Sequence, residues 1–250
     1  MDFSFSEEQT LLRNSVAKFL ADNYTFEKWR KFTRAEPGRD VANWQHFAEL
    51  GLLAASLPED FGGLGGGAVD NMVVMEEFGK ALVIEPFVST VVVGGGMIAR
   101  SGSKDLKDEI LPRIAGGESI IAFAFAEPKS RFNLADLSTT AKKQGSGYVL
   151  NGKKIAVIGA PFADTLIVTA RTGGGQRDTQ GIGVFLVDKA AKGITARDYR
   201  TIDSGRASDI LLENVEVPED RRIGGEALAA VERAVDAAIA AHAAEAVGAM

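Results

Sequence analysis

The sequence predicts an α+β chain in which a small β-domain sits between two helical segments. Three observations carry this reading. Amphipathic helical periods dominate residues 1–117. A dense run of short apolar strands follows, from Ile120 to Val217. A long alanine-rich helical pattern then fills Glu226 to Met250. Helix and strand periods differ enough, 3.6 against 2, for the change of segment to be visible. The domains are accordingly placed at 1–117, 118–222 and 223–250.

Ser6 with Gln9 matches a capping box. Leu12, Val16, Phe19 and Leu20 then share one helical face, so a helix runs to about Asn23. Phe26 to Ala35 and Val41 to Leu50 read as two more helices. Pro37 separates them, and Gly51 stands where a left-handed terminal residue is wanted. Pro58 to Gly67 is a glycine-rich loop, but no Gly-Lys-Ser/Thr follows, so it reads as a turn and not a phosphate loop. Asp70 to Leu82 is helical. Its adjacent Glu76 and Glu77 point about 100° apart, which suits a solvated face better than paired acid–base chemistry. Val88 to Ala99 reads as a buried helix approached closely at Gly94 to Gly96. Lys104 to Ile114 is the last helix of this segment.

Ile120 to Ala126 is a short apolar run, as in a strand covered on both faces. Glu127-Pro128 ends it. Thr139 to Gln144, Tyr148 to Leu150, Ile155 to Ile158 and Thr165 to Ala170 continue the sheet. Turns are expected at Gly145 to Gly147 and, as a two-residue hairpin, at Asn151-Gly152. Gly183 to Asp188, Ile194 to Tyr199 and Ser208 to Val217 complete about seven strands, for which a small barrel is the economical closure. The final helix carries an apolar stripe of Leu228, Val231, Val235 and Ile239. With no helix after it to pack against, it is expected to dock on another subunit or to be continued by further chain.

The bulk properties exclude several functions. Net charge is −6 with no basic run, so neither nucleic acid nor an anionic membrane is an expected partner. There is no cysteine, which removes disulfides and thiolate chemistry. The two histidines, His46 and His242, lie in separate helical segments, and no metal site is expected. No apolar run reaches membrane-spanning length, and the polar MDFSFSEEQ start is not a signal peptide; a cytoplasmic protein is the expectation.

LPEDFGGLG (Leu57 to Gly65), MEEFGKAL (Met75 to Leu82), AFAEP (Ala124 to Pro128), LNGKK (Leu150 to Lys154) and LENVEVP (Leu212 to Pro218) occur in this order. In order and spacing they resemble the acyl-CoA dehydrogenase family, over essentially the whole chain. The segment AEPKSRFNLAD is most similar to the small-subunit type of pimeloyl-CoA dehydrogenase. The resemblance implies an N-terminal helical domain, a middle β-barrel domain and the first helix of a C-terminal helical bundle whose remainder is missing here. It implies FAD between barrel and bundle, an acyl-CoA substrate desaturated between its α and β carbons, electron-transferring flavoprotein as oxidant, and a homo- or hetero-oligomer.

Carried over residue by residue, the flavin-lining strand end maps onto Phe123, Ala124, Phe125 and Ala126. Read from the residues alone, Phe123 and Phe125 are equally well core. Many members end that strand in Thr, where this chain has Ala126. Their Gly-Ala-Gly-Ser-Asp loop is replaced by Lys129 to Asn133, within which Arg131 and Phe132 become candidate substrate contacts. Arg131 is equally a solvated loop charge. The family's Trp-Ile-Thr segment maps onto Ala156, Val157 and Ile158, without the aromatic ring. In most members the catalytic carboxylate lies beyond the end of this chain. In a minority it lies on the first bundle helix, at the position of Ala238, which cannot take a proton. Glu245 is two turns on, about 10 Å away, so no catalytic residue is assigned. A non-catalytic or half-site subunit, a flavin-dependent monooxygenase and a binding protein without cofactor are the alternatives.

Overall fold

The computed structural model describes residues 4–224 and 227–250. Its helices start where the side chains can cap them. Helix α1 (Glu7–Asn23) has the reciprocal Ser6/Gln9 box, α2 (Phe26–Arg34) is capped by Thr25, and α3 (Val41–Glu49) by Asp40. Gly51 turns the chain at φ 74° after α3. Helix α4 (Ala68–Ala81) begins where the Asp70 carboxylate accepts the Gly67 N–H at 2.7 Å, and it stops at Leu82, which is left-handed at φ 56°.

The predicted helix over 88–99 is two pieces. Val88–Gly95 is wound as a π-helix and passes straight into α5 (Gly96–Ser101). A Cβ on Gly94 would lie 3.0 Å from Ile121, and one on Gly95 2.8 Å from Leu57, so both glycines admit close neighbours. Helix α6 (Lys104–Ala115) then leads to the sheet.

Among the described residues eight strands follow: β1 (Ile121–Ala124), β2 (Thr140–Gln144), β3 (Gly147–Ile158), β4 (Thr165–Arg171), β5 (Ile182–Asp188), β6 (Ile194–Arg200), β7 (Arg206–Pro218) and β8 (Arg222–Ile223). Their order is β6-β7-β3-β2-β4-β5-β8, with β1 parallel to β4. This is an open path and not the closed barrel that was expected. One edge is β6, largely exposed and carrying Arg197, Asp198 and Arg200, which blunt it against further pairing. The other is the two-residue β8, and the middle of the path is joined by a single pair, Thr140 with Arg171.

The hairpin expected at Asn151-Gly152 is also absent. Strand β3 runs through that dipeptide with a shift of register between Leu150 and Gly152. Gly152 is there because a Cβ would meet Thr139 at 2.4 Å, and the Asn151 side chain accepts the Asn214 N–H at 2.8 Å. The dipeptide builds a bulge. The real two-residue hairpin is Gly145-Ser146, between β2 and β3.

The last helix, α7 (Ala227–Ala249), folds back on the chain itself, against α4 and the π-helix; Glu226 lies outside the described residues. Its buried face is made of small residues, Ala230, Val231, Ala234, Ala241 and Ala244, while Ile239 of the predicted stripe is 61% exposed. Small residues win because the two backbones nearly touch. A Cβ on Gly79 would lie 2.0 Å from the Glu245 carbonyl, and one on Gly248 1.9 Å from that of Glu76. One apolar core runs from the helices into the sheet. Phe47 stacks on Phe78 at 5.0 Å, and Phe78 meets Phe87 edge-on at 5.3 Å. Each fully buried side chain of this kind contributes about 1.5–3 kcal/mol.

Candidate active site

Where α4, the 82–89 segment, α7, the end of β1 and the end of β3 converge, they leave an open, mainly apolar cavity of about 590 Å³. Four of the residues singled out from sequence line it: Phe123, Phe125, Ala156 and Ile158. Residues two apart on an extended chain share a face, and the Phe123 and Phe125 rings stack at 4.9 Å. Their alternates point away, with Ala124 and Val157 buried in the core. Ala126 lies past the end of β1, and its carbonyl accepts the Ile155 N–H at 2.9 Å, tying the two flanking segments together. Arg131 and Phe132 stand on the following turn, outside the lining of this cavity. Arg131 has φ 48°, and Phe132 is 98% exposed. Ala156 is itself left-handed, at φ 50°. That conformation is uncommon for any side chain and a genuine outlier for a bulky one, and a small residue occupies it here.

Directly behind β1 lies an ion pair that composition and spacing did not reveal. Glu127 and Lys154 are both buried, with Nζ 2.8 Å from Oε1. Lys154 also donates to the Thr169 hydroxyl at 3.1 Å and the Phe125 carbonyl at 3.3 Å. Glu127 accepts from the backbone of Ser138 at 2.7 Å and Thr139 at 3.1 Å, and from the Ser138 hydroxyl. Burial alone would raise the Glu127 carboxyl, but the Lys154 charge and these donors hold it well below the usual range. Burial lowers Lys154, and Glu127 only partly restores it. The pair fixes β1 against β3 just behind the cavity wall.

A second carboxylate, Glu85, lines the cavity itself. The Tyr24 hydroxyl donates to its Oε2 at 2.5 Å and accepts the Ile84 N–H at 3.0 Å. Burial pushes Glu85 up to about 7. A carboxyl raised on folding stabilises the protein fully below its unfolded pKa and loses that contribution as pH rises through the folded value. Between about pH 5 and about pH 8 the wild type is therefore expected to lose up to about 3 kcal/mol that Glu85→Gln does not lose. Urea titrations of both proteins across that range check this. Parallel pH curves would refute it.

Helix α7 supplies the remaining wall with Ala238, His242 and Glu245. His242 Nδ1 is 2.8 Å from Glu245 Oε2, and that hydrogen bond raises the imidazole above its ordinary value. The i,i+3 spacing was the available signal for this pair. His46, by contrast, is exposed beside Glu49 on the outer surface. Glu76 and Glu77 do not form a solvated acid pair. Both bind Arg13, at 3.3 and 3.0 Å, and Glu77 is buried. A smaller groove of about 350 Å³ between α6 and the sheet has its Arg221 paired with Glu109 at 2.9 Å. Among the described residues no cluster of His, Asp or Glu could hold a metal, and no helix is long and apolar enough to cross a membrane.

Comparison with known proteins bears on this geometry. Residues 6–118 match the family model for the acyl-CoA dehydrogenase N-terminal domain, and residues 122–215 that for the acyl-CoA dehydrogenase middle domain. The chain belongs to the acyl-CoA dehydrogenase family. Its relatives include acyl-CoA dehydrogenase FadE12 of Mycobacterium tuberculosis H37Rv, 32% identical over 235 residues, covering 90% of this chain and 59% of the relative. The chain thus spans little more than half the length of the curated acyl-CoA dehydrogenase relatives it matches. Among solved structures, the ChsE4-ChsE5 complex from Mycobacterium tuberculosis superposes with TM-score 0.83 at 27% identity, covering 93% of this chain and 61% of the other. The FAD complex of PigA superposes with TM-score 0.90 at 26% identity, over 100% of this chain and 67% of the other.

Proposed function

We propose that this chain forms most of an FAD-dependent acyl-CoA dehydrogenase site, at which an acyl-CoA thioester is desaturated between its α and β carbons. The observation that carries the reading is the cavity. It brings Phe123 and Phe125 from one strand end, and Ala156 and Ile158 from another, to face α4 and α7. A flat aromatic cofactor fits a wall of stacked phenyl rings and small aliphatic side chains, and an acyl chain fits the apolar remainder. FAD, when bound, supplies a hydride acceptor for the β-hydrogen. The side chains of this chain orient the acyl group and exclude water. Arg131 and Phe132, on the turn beside the cavity mouth strand, are proposed contacts to the substrate's polar end, and electron-transferring flavoprotein is the proposed oxidant.

Ala238 favours one refinement. It sits in the cavity wall where a minority of members place the base, and a methyl group abstracts no proton. The chain is accordingly proposed to act as a half-site, with the carboxylate supplied by a further segment or a homologous partner subunit. The visible spectrum of the purified chain, after incubation with FAD and removal of free cofactor, tests the reading. Retained flavin absorption, in the chain alone or only with a subunit carrying the carboxylate, is the expected result. A colourless protein under both conditions would overturn it.

A further inference from the structure

Residues 83–86 belong to no helix or strand, yet Val83, Ile84, Glu85 and Pro86 all line the cavity. Backbone bonding along this wall is sparse. The Val83 N–H reaches the Phe78 carbonyl at 3.0 Å, and Pro86 has no N–H to give. The Ile84 N–H goes instead to a side chain, the Tyr24 hydroxyl, at 3.0 Å, and that hydroxyl donates in turn to Glu85 Oε2 at 2.5 Å. Tyr24 is itself firmly placed. It is buried, its own N–H caps α1 on the Leu20 carbonyl at 2.8 Å, and its ring meets Phe32 edge-on at 5.6 Å. The Glu85 carboxylate is turned back into the protein, since Oε1 has almost no accessible surface. Arg39 is the cation on that side. Its guanidinium lies 5.2 Å over the ring of Phe162, another wall residue, and its Nε and Nη1 are buried without a hydrogen-bond partner. It therefore acts on Glu85 as a charge at a distance, and the hydrogen bonds that hold the segment come from Tyr24.

We propose that Tyr24 is the positioning residue that sets the acyl-chain length this cavity accepts. Its hydroxyl pins the 83–86 wall at two adjacent residues, from the side that the acyl chain does not reach. A wall supported by hydrogen bonds behind it is a fixed stop; once released, it yields to a longer chain. This rests on the acyl-CoA reading and names what fixes the selectivity of that site. Tyr24 lies behind the wall and acts only through Ile84 and Glu85.

Two measurements test it. The first is calorimetric binding of saturated acyl-CoAs, from butanoyl to dodecanoyl, to the FAD-loaded chain. Affinity is expected to rise roughly fourfold per methylene up to one length and then to stop rising. In Tyr24→Phe, which keeps the ring, that break is expected to move outward by about two methylenes. The longest thioesters then gain roughly tenfold relative to butanoyl-CoA. Glu85→Leu is expected to move the break in the same direction. Glu85→Gln keeps an acceptor for the hydroxyl, and Arg39→Gln removes the charge but neither Tyr24 bond; both are expected to leave the break in place. The second measurement, amide hydrogen exchange, reads the pin without any ligand. Ile84 is expected to exchange roughly tenfold faster in Tyr24→Phe, with Val83 unchanged. A wild-type affinity that rises without a break, a break unmoved in Tyr24→Phe or moved in Arg39→Gln, or unchanged exchange at Ile84 would overturn the assignment and leave the acyl-CoA reading intact. Failure of every thioester to bind would overturn the acyl-CoA reading and the assignment with it.

Discussion

Replacing Lys154 with Met is expected to lower the unfolding free energy at neutral pH by about 3–5 kcal/mol, among the largest effects available to a single substitution in this chain. The loss comes less from a missing attraction than from what remains. Glu127 is buried, so the variant leaves a carboxylate without its counter-charge. The double variant Glu127→Gln/Lys154→Met removes both charges and is expected to recover much of the loss. The pH dependence gives an independent check. In the wild type the Glu127 pKa is depressed, so its contribution is present above the unfolded carboxyl value and disappears as pH falls through the folded value. In Lys154→Met the carboxyl takes up a proton at higher pH, which removes the orphaned charge. The gap between wild type and variant should therefore narrow as pH falls from neutrality toward about 3. Urea denaturation at several pH values measures it. A gap that widens in acid, or a single variant as stable as wild type, would contradict the buried pairing.

The second large effect concerns the crossing of α4 and α7. Gly248→Leu is expected to cost about 3 kcal/mol or more, beyond the ordinary range of overpacking, because its side chain meets backbone and not a movable side chain. The first added carbon would stand 1.9 Å from the Glu76 carbonyl. Gly79→Leu should do the same from the other side, where the obstacle is the Glu245 carbonyl at 2.0 Å. Limited proteolysis separates a detached helix from general unfolding. Cleavage within 227–249, with residues below 224 still protected, is the expected pattern for both variants. An unchanged digestion profile and unchanged stability would mean that the helices are not in this contact.

Much of the fold was legible because it rests on local rules. The Ser6/Gln9 box, the Gly51 turn and the period of Val16 and Leu20 are set by neighbours a few positions apart. What was misread depends on partners far along the chain. Asn151-Gly152 has the composition of a hairpin turn, but Thr139 and Asn214 use it as a bulge. The stripe of Leu228, Val231, Val235 and Ile239 looked like the buried face of the last helix, and of these Val231 is buried while Ile239 is exposed. The face chosen is the one with alanines, because only small side chains allow the glycine-to-carbonyl contacts with α4. Glu85 carried no local signal at all. Its meaning comes from Tyr24, sixty-one positions earlier, and from the cavity between them and α7. Of the residues picked out by family resemblance, those that face the cavity alternate with those that face the core, as strand geometry requires. Family motifs identify a segment but not which of its side chains is presented.

The contact of α4 with α7 joins residues near positions 76–79 to residues near 245–248. A ribosome delivers the first of these long before the second. While the sheet is being made, the notch at Gly79 has no α7 backbone to fill it. The cavity therefore belongs to neither helical segment by itself. It gains its α7 wall, Ala238, His242 and Glu245, only when that helix has emerged and folded back.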